Sequence, residues 1–317
     1  MTNNSKISFP YVFFKGKIVP IGEAKVSIMT NALQYGTGIF GGIRGYVQEN
    51  PKSKIQNPKK EVAIFRIADH YQRFLKSLNI LNKTIPYSHK KLVDITIELA
   101  KKNAPDTDCY FRPLAYASNL GLSPNLHEAV FDFAIYMIPL GEYLPIHKGL
   151  KLMISNWIRI SDVMIPARAK VTGAYINSSL AKGDAESLGF DDALMMTSEG
   201  HITEGSAANF FMVRDGVLIT PSNYSDILEG ITRRSIIQLA RDLHIPVEER
   251  EVDRSEVYIS DECFLSGTGA QVAWISEVDG RKIRDGKIGP VTGKLQKLFF
   301  DIVRGRNNKY KNWLTKI

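Results

Sequence analysis

Cysteine is nearly absent: the chain of 317 residues has two, Cys109 and Cys263, each inside an apolar, strand-like run. That excludes a disulfide scaffold and a thiolate metal centre. It predicts two small buried hydrophobes in a reducing, cytoplasmic setting. Long apolar runs are absent as well. None approaches the roughly 18 residues of a membrane span, and no apolar signal core follows Met1-Thr2-Asn3-Asn4-Ser5-Lys6. The six histidines are dispersed without metal-ligand spacing, so no metal is expected. There is no G-x-S-x-G elbow, no internal repeat and no low-complexity segment.

What is present has a globular composition, 44% hydrophobic and 23% charged. A length of 317 suits one large domain or two ordinary ones. The formal charge is +8, from 41 basic and 33 acidic residues. The excess is scattered. Its densest patch, Lys52, Lys54, Lys59 and Lys60, has no interleaved aromatics, and the loop around 51–60 reads as a surface insertion. The tail repeats the pattern with Arg304, Arg306, Lys309, Lys311 and Lys316. A nucleic-acid groove would need a stripe with stacking platforms, so a solvated basic surface is the expectation.

The first half reads as strands with two helices, an α+β pattern. Residues 11–20 form a hairpin turning at Lys15-Gly16-Lys17, and 43–47 and 61–65 are strands. Ile67, Tyr71, Phe74, Leu75 and Leu78 follow helical spacing. Ser88 caps a second helix with Leu92, Ile95 and Leu99 on one face. Residues 109–118 and 129–138 are long strands. The run from Gly141 through Pro145 to His147 breaks the pattern and reads as a linker. Beyond it, strands are expected at 150–155, 192–197 and 263–267, and a hairpin at 209–220 turns on Asp215-Gly216. Helices are expected at 174–188, 231–243 and 291–303.

Two glycine motifs are decoys. Gly36-Thr37-Gly38-Ile39-Phe40-Gly41 has the dinucleotide spacing, but the strand-like Ile43 to Val47 follows where that fold needs a helix. Gly289-Pro290-Val291-Thr292-Gly293-Lys294-Leu295 imitates a phosphate loop with short spacing and Leu295 in place of Ser or Thr.

The residues that carry chemistry lie elsewhere. Lys170 sits in Ile165-Pro166-Ala167-Arg168-Ala169-Lys170-Val171-Thr172-Gly173, among small apolar neighbours. Desolvation there would favour a neutral amine able to attack a carbonyl. The alternative is an exposed lysine with its stem on apolar surface. Glu204, in Thr203-Glu204-Gly205, is either a carboxylate facing a pyridine nitrogen or an ordinary strand-end residue. Gly230-Ile231-Thr232 opens a helix, and Ser266-Gly267-Thr268-Gly269 follows a strand. Each can cradle an anion or serve as a cap or tight turn. Arg73 adds a charge able to grip phosphate. Lysine, carboxylate and phosphate cradle together specify pyridoxal 5'-phosphate.

From about residue 12 to residue 303, the chain resembles the branched-chain aminotransferase family, the class-IV fold of pyridoxal-phosphate enzymes. The resemblance is carried by Tyr35-Gly36-Thr37-Gly38-Ile39-Phe40-Gly41-Gly42-Ile43-Arg44, Phe65-Arg66 with His70-Tyr71-Gln72-Arg73, Tyr110-Phe111-Arg112-Pro113-Leu114 and Ala169-Lys170. It continues through Gly173-Ala174-Tyr175-Ile176-Asn177-Ser178, Thr203-Glu204-Gly205, Asn209-Phe210-Phe211, Gly230-Ile231-Thr232-Arg233 and Ser266-Gly267-Thr268.

It implies a smaller N-terminal α/β domain over 1–140, an interdomain lid at 141–149 and a larger, mixed-sheet, barrel-like domain over 150–317. Lys170 would carry the cofactor as a Schiff base and shuttle the α-proton. Tyr175 would hold the cofactor's phenolic oxygen and Glu204 its ring nitrogen. Arg73, Ile231, Thr232, Gly267 and Thr268 would bind its phosphate. Tyr110 and Arg112, with the amides of Thr268 and Gly269, would place the substrate carboxylate. Phe40, Gly42, Tyr143 and Tyr175 would wall an apolar pocket. Tyr35 and the loop 119–125 would complete a neighbour's site in a homodimer or a larger assembly of dimers.

The implied reaction is transamination of leucine, isoleucine and valine with 2-oxoglutarate. D-amino-acid or (R)-amine transamination and aminodeoxychorismate lyase chemistry are the alternatives on this fold. The remaining rivals are a nicotinamide oxidoreductase using the Gly36 motif and a nucleic-acid binder using the +8 charge. Four positions depart from the family pattern: Gly41, Ala208, Leu140 and Gly269-Ala270-Gln271. The last two touch the substrate region.

Overall fold

The computed structural model describes residues 7–48 and 60–317, so the basic loop expected at 51–60 lies outside the described residues except for Lys60. In chain order the elements begin with β1 (Tyr11–Phe14), β2 (Lys17–Pro20), α1 (Asn31–Tyr35), β3 (Gly38–Phe40), β4 (Ile43–Val47) and β5 (Val62–Phe65). Next come α2 (Ile67–Ile80), α3 (His89–Asn103), β6 (Cys109–Ala117), β7 (Phe131–Pro139), β8 (Leu150–Ile154) and α4 (Tyr175–Ser187). Then follow β9 (Asp192–Met196), β10 (Ile202–Gly205), β11 (Asn209–Arg214), β12 (Val217–Thr220), α5 (Ile231–Asp242) and β13 (Val247–Glu249). The last are α6 (Arg254–Val257), β14 (Glu262–Gly267), β15 (Gln271–Val278), β16 (Arg281–Lys282), α7 (Pro290–Val303) and β17 (Leu314–Lys316).

The chain divides into two compact units. The first comprises the described part of Met1–Gly141 together with Ala169–Gly173 and Asp301–Ile317. The second comprises Glu142–Arg168 and Ala174–Phe300. The sequence reading assigned 169–173 and 301–317 to the C-terminal part. They join the first unit because their backbones pair there: Phe40 N donates to Lys170 O at 3.0 Å, and β17 pairs antiparallel with β5.

In the first unit, strands run in the order β17-β5-β4-β6-β7-β1-β2, with β3 paired to β6. β6 and β7 form a nine-residue antiparallel ladder, Cys109 to Ala117 against Pro139 to Phe131. Along β7 the burial alternates residue by residue, the signature of a sheet with one packed face. The helix α3 starts where Ser88 Oγ accepts the Lys91 amide at 3.2 Å. Its apolar stripe, Leu92, Ile95 and Leu99, is shielded from water.

In the second unit, β10-β9-β8-β15-β14-β11 form a continuous path, and the added pairing of β10 with β11 closes it into a ring. Closure removes two sheet edges that would otherwise expose unpaired amides. Leu152, Leu194, Phe210, Met212, Leu265 and Ile275 fill the core. Among the described residues, no helix is long and apolar enough to cross a membrane.

Candidate active site

In the first unit, the decoy glycines have a structural purpose. Gly36 ends α1 in the left-handed region, at φ 65°. A Cβ there would press on the Gly173 backbone at 3.1 Å or less. With both glycines bare, the Lys170 segment lies along β3. Thr172 N donates to Gly38 O at 2.9 Å, and Gly173 N donates to Gly36 O at 3.0 Å. The Thr172 hydroxyl adds bonds to the Gly36 and Gly38 carbonyls at 2.5 and 3.2 Å. The motif read as a failed dinucleotide loop is therefore the platform that fixes Lys170.

That platform puts Lys170 Nζ 4.8 Å from the centroid of the Phe40 ring. The Arg112 guanidinium lies over the same ring at 4.7 Å and over Tyr110 at 5.1 Å. Tyr110 and Arg112 share a face of β6 because strand side chains alternate. Gly42 makes room for the Tyr110 phenol, since a Cβ would fall on the hydroxyl. Burial pushes the Tyr110 pKa up, against the pull of Arg112 and Arg73. Arg73, on α2, is near enough for its charge to act on Tyr110. From α2, Ser77 Oγ bonds the Arg73 carbonyl at 3.0 Å and accepts the Lys170 amide at 3.4 Å.

In the second unit, Glu204 is 5% exposed, and both of its oxygens are held. Arg159 Nη2 approaches Oε1 at 2.8 Å, and Oε2 accepts from Asn209 Nδ2 at 2.9 Å and from Leu228 N at 3.2 Å. The barrel closure places Asn209, because Glu204 on β10 is its register partner on β11. Asn209 in turn dictates Gly230, where a Cβ would strike the Asn209 amide oxygen. Gly230 begins α5 with no side-chain cap, and Ile231 and Thr232 form its buried first turn. Gly267 ends β14, and Thr268 and Gly269 form the turn into β15. Tyr175 is the first residue of α4, and Tyr143 packs its ring against Gly269.

The structure thus gathers Lys170, Phe40, Gly42, Arg73, Tyr110 and Arg112 in one cluster. Glu204, Ile231 and Thr232 come together through Asn209 and Gly230. Tyr35, at the end of α1, is 37% exposed, and its hydroxyl donates to Leu122 O at 2.6 Å. Sequence reasoning missed Arg159, Ser77 and the structural role of Asn209. Only the cross-strand register identifies Asn209 as a ligand of Glu204, and Arg159 lies far off in sequence within an irregular segment. The glycine-rich start of α7 is no anion site: the buried Glu262 carboxylate already accepts the Val291 and Thr292 amides at 3.0 and 2.6 Å. Among the described residues, no group of His, Cys, Asp or Glu is placed to hold a metal ion.

The family described as amino-transferase class IV matches residues 59–278. A protein of Aquifex aeolicus named a probable branched-chain-amino-acid aminotransferase is 44% identical, covering 98% of this chain and 97% of its own length. The branched-chain aminotransferase of Thermoproteus uzoniensis, solved with norvaline, superposes with a TM-score of 0.91 at 38% identity, covering 97% and 99% of the two chains. The branched-chain amino acid aminotransferase of Thermobaculum terrenum, solved in its PLP-form, gives 0.90 at 35% identity, covering 98% of each chain.

Proposed function

Because the chain belongs to the amino-transferase class IV family, we propose that it is a pyridoxal-phosphate-dependent branched-chain aminotransferase. In this reading it exchanges the amino group of leucine, isoleucine or valine with 2-oxoglutarate, giving branched 2-keto acids and glutamate. One observation carries the reading: an amine nucleophile lies against an aromatic wall beside a tyrosine–arginine pair, within one cluster. The amine suits a carbonyl, the pair suits a carboxylate and the ring suits an aliphatic side chain.

The residues fit pyridoxal 5'-phosphate. A buried, ionically held carboxylate suits a protonated ring nitrogen. Bare amides at the start of α5 suit a phosphate, and Ser266 Oγ, beside Gly267, is buried without a hydrogen-bond partner. When bound, the group supplies a sink for the electron pair left as the α-proton departs. Lys170 Nζ is then the point of covalent attachment and the carrier of that proton. Glu204 keeps a proton on the ring nitrogen, and Arg159 and Asn209 keep Glu204 oriented. Tyr175 donates to the phenolic oxygen. Arg73, Ile231, Thr232, Gly267 and Thr268 hold the phosphate. Tyr110, Arg112 and the amides of Thr268 and Gly269 take the substrate carboxylate. Phe40, Gly42 and Tyr143 exclude water from the side-chain end. One methylene gives only about 1–3 kcal/mol of discrimination, so all three aliphatic substrates are accepted.

The active assembly is a cytoplasmic homodimer in this reading. Its support is the group of exposed apolar side chains near Tyr35 in the chain and in the loop it bonds, with Ile28 at 83%, Leu33 at 64% and Leu122 at 84% exposure, the kind of surface a second copy covers. The two free, buried cysteines agree with a reducing compartment. A keto-acid panel with purified enzyme tests the substrate assignment. L-leucine, L-isoleucine and L-valine should turn over with 2-oxoglutarate. Turnover of D-alanine without L-leucine would move the protein to D-amino-acid chemistry.

A further inference from the structure

The substrate-side departure at Gly269 has a counterpart across the turn. Tyr143, in the linker, lies on Gly269 so closely that a Cβ there would sit 3.2 Å from its Cδ1 and 3.4 Å from its Cγ. Those distances are inside ordinary contact, so an alanine would push the ring outward. The backbone carrying Tyr143 is anchored. Leu144 and Ile146 are buried in the core of the second unit, and Gln296 Nε2 donates to Ile146 O at 3.2 Å. The ring itself is 49% exposed and needs something to hold it.

Lys182 supplies that hold. It stands on α4 with its ammonium 5.7 Å from the centroid of the Tyr143 ring, within cation–π range. Burial works against its charge, but Asp192, Tyr143 and Glu186 together keep its pKa above the ordinary lysine value. Asp192 is itself buried at 3% exposure, and Glu186 lies one turn along α4 at 3.5 Å. The side chain is 27% exposed, so the cation is only partly withdrawn from water and is held by these neighbours. No role in the chemistry proposed above uses it.

We propose that Lys182 is a positioning residue that holds the Tyr143 ring down on Gly269, and that this stack steadies the Thr268-Gly269 turn whose amides are assigned above to the substrate carboxylate. The inference rests on the branched-chain reading. Lys182 acts through the ring and the turn beneath it, so it governs substrate binding and leaves proton transfer alone.

The test uses wild type, Lys182→Met, Lys182→Arg and Gly269→Ala. Methionine keeps the stem and removes the charge. For the branched keto acids, Lys182→Met should raise KM by about fivefold, the scale of one partly buried cation–π contact. Its kcat should stay within about twofold, because the reacting groups are untouched. Lys182→Arg should restore the wild-type KM. Gly269→Ala lifts the ring from the other side, and should raise the same KM even if Lys182→Met does not fold. In the substrate-free enzyme, amide exchange of residues 142–146 should be several-fold faster in Lys182→Met than in wild type. Unchanged exchange together with an unchanged KM would overturn the proposal, as would a fall in kcat at constant KM. If wild type transaminates no branched-chain substrate, the functional reading fails, while the exchange measurement still decides whether Lys182 holds Tyr143.

Discussion

At the scale of single residues, the account turns on a few polar groups whose surroundings fix their state. Lys170 is positioned by its backbone, through pairing with β3 and an amide bond to Ser77 Oγ, so removing its side chain should leave the fold intact. Lys170→Ala should fold normally and lose at least about 10³-fold in multi-turnover transamination, since it deletes the proton carrier. Steady-state rates together with circular dichroism check this, and wild-type turnover would remove the residue from the chemistry. Arg159 presents the opposite case. It is one partner of a buried ion pair, and both side chains are below 10% exposure. Arg159→Met would leave Glu204 half-unpaired and should cost about 3–5 kcal/mol of stability, as broken buried pairs do. Denaturant melts read that cost directly. A change below about 1 kcal/mol, the ordinary scale of an exposed pair, would mean that water reaches Glu204.

At the scale of elements, much was legible before the structure. The hairpins turning at Lys15-Gly16 and Asp215-Gly216 form as read, with Gly16 and Gly216 at φ 85° and 78°. The helices α4, α5 and α7 lie within a residue or two of their expected spans, α2 carries the expected apolar spacing from Ile67 to Leu78, and α3 starts after Ser88 as expected. Ser88→Ala should destabilise the protein by about 1 kcal/mol through loss of the α3 cap, and a thermal melt will show it if the cap contributes. Two of the missed strands have remote partners, and others, such as β10 and β16, are only a few residues long. β15 pairs in parallel with β8, more than a hundred residues away. β17 pairs with β5 across most of the chain. A three-residue strand carries no period, and a strand buried on both faces shows no alternation. The Gly36 motif was rightly set aside as a dinucleotide loop. Its use as a platform for 169–173 was invisible, because a close backbone approach leaves only glycine as its trace. Glu204 and Lys170 were found as residue types in suggestive settings. Their fixing partners Arg159 and Ser77 were not, since a single arginine or serine carries no pattern.

At the scale of the whole molecule, the positive charge has no single target. Arg304 grips Asp108 at 2.6 and 2.7 Å, Arg306 pairs with Asp301 at 3.0 Å, and Lys316 pairs with Glu61 at 2.9 Å. Much of the basic tail is thereby committed within the chain. Stability should fall on the alkaline side. Burial pushes the thiols of Cys109 and Cys263 from 9.0 up to about 12 in the fold, so the unfolded chain releases protons first. The stabilisation is complete below pH 9.0 and declines as pH rises toward about 12. Melting temperatures should therefore drop through this window. The Cys109→Ala and Cys263→Ala pair should flatten the decline, while an unchanged slope would show that the thiols ionise in the native state.

The measurement that reaches furthest is borohydride reduction of the yellow holoenzyme, followed by digestion and mass mapping of the modified peptide. The pyridoxyl mass should fall on Lys170 alone, in the peptide containing Val171-Thr172-Gly173. A modified Lys182, another labelled lysine or a protein that reduction leaves unlabelled would contradict the account at its base.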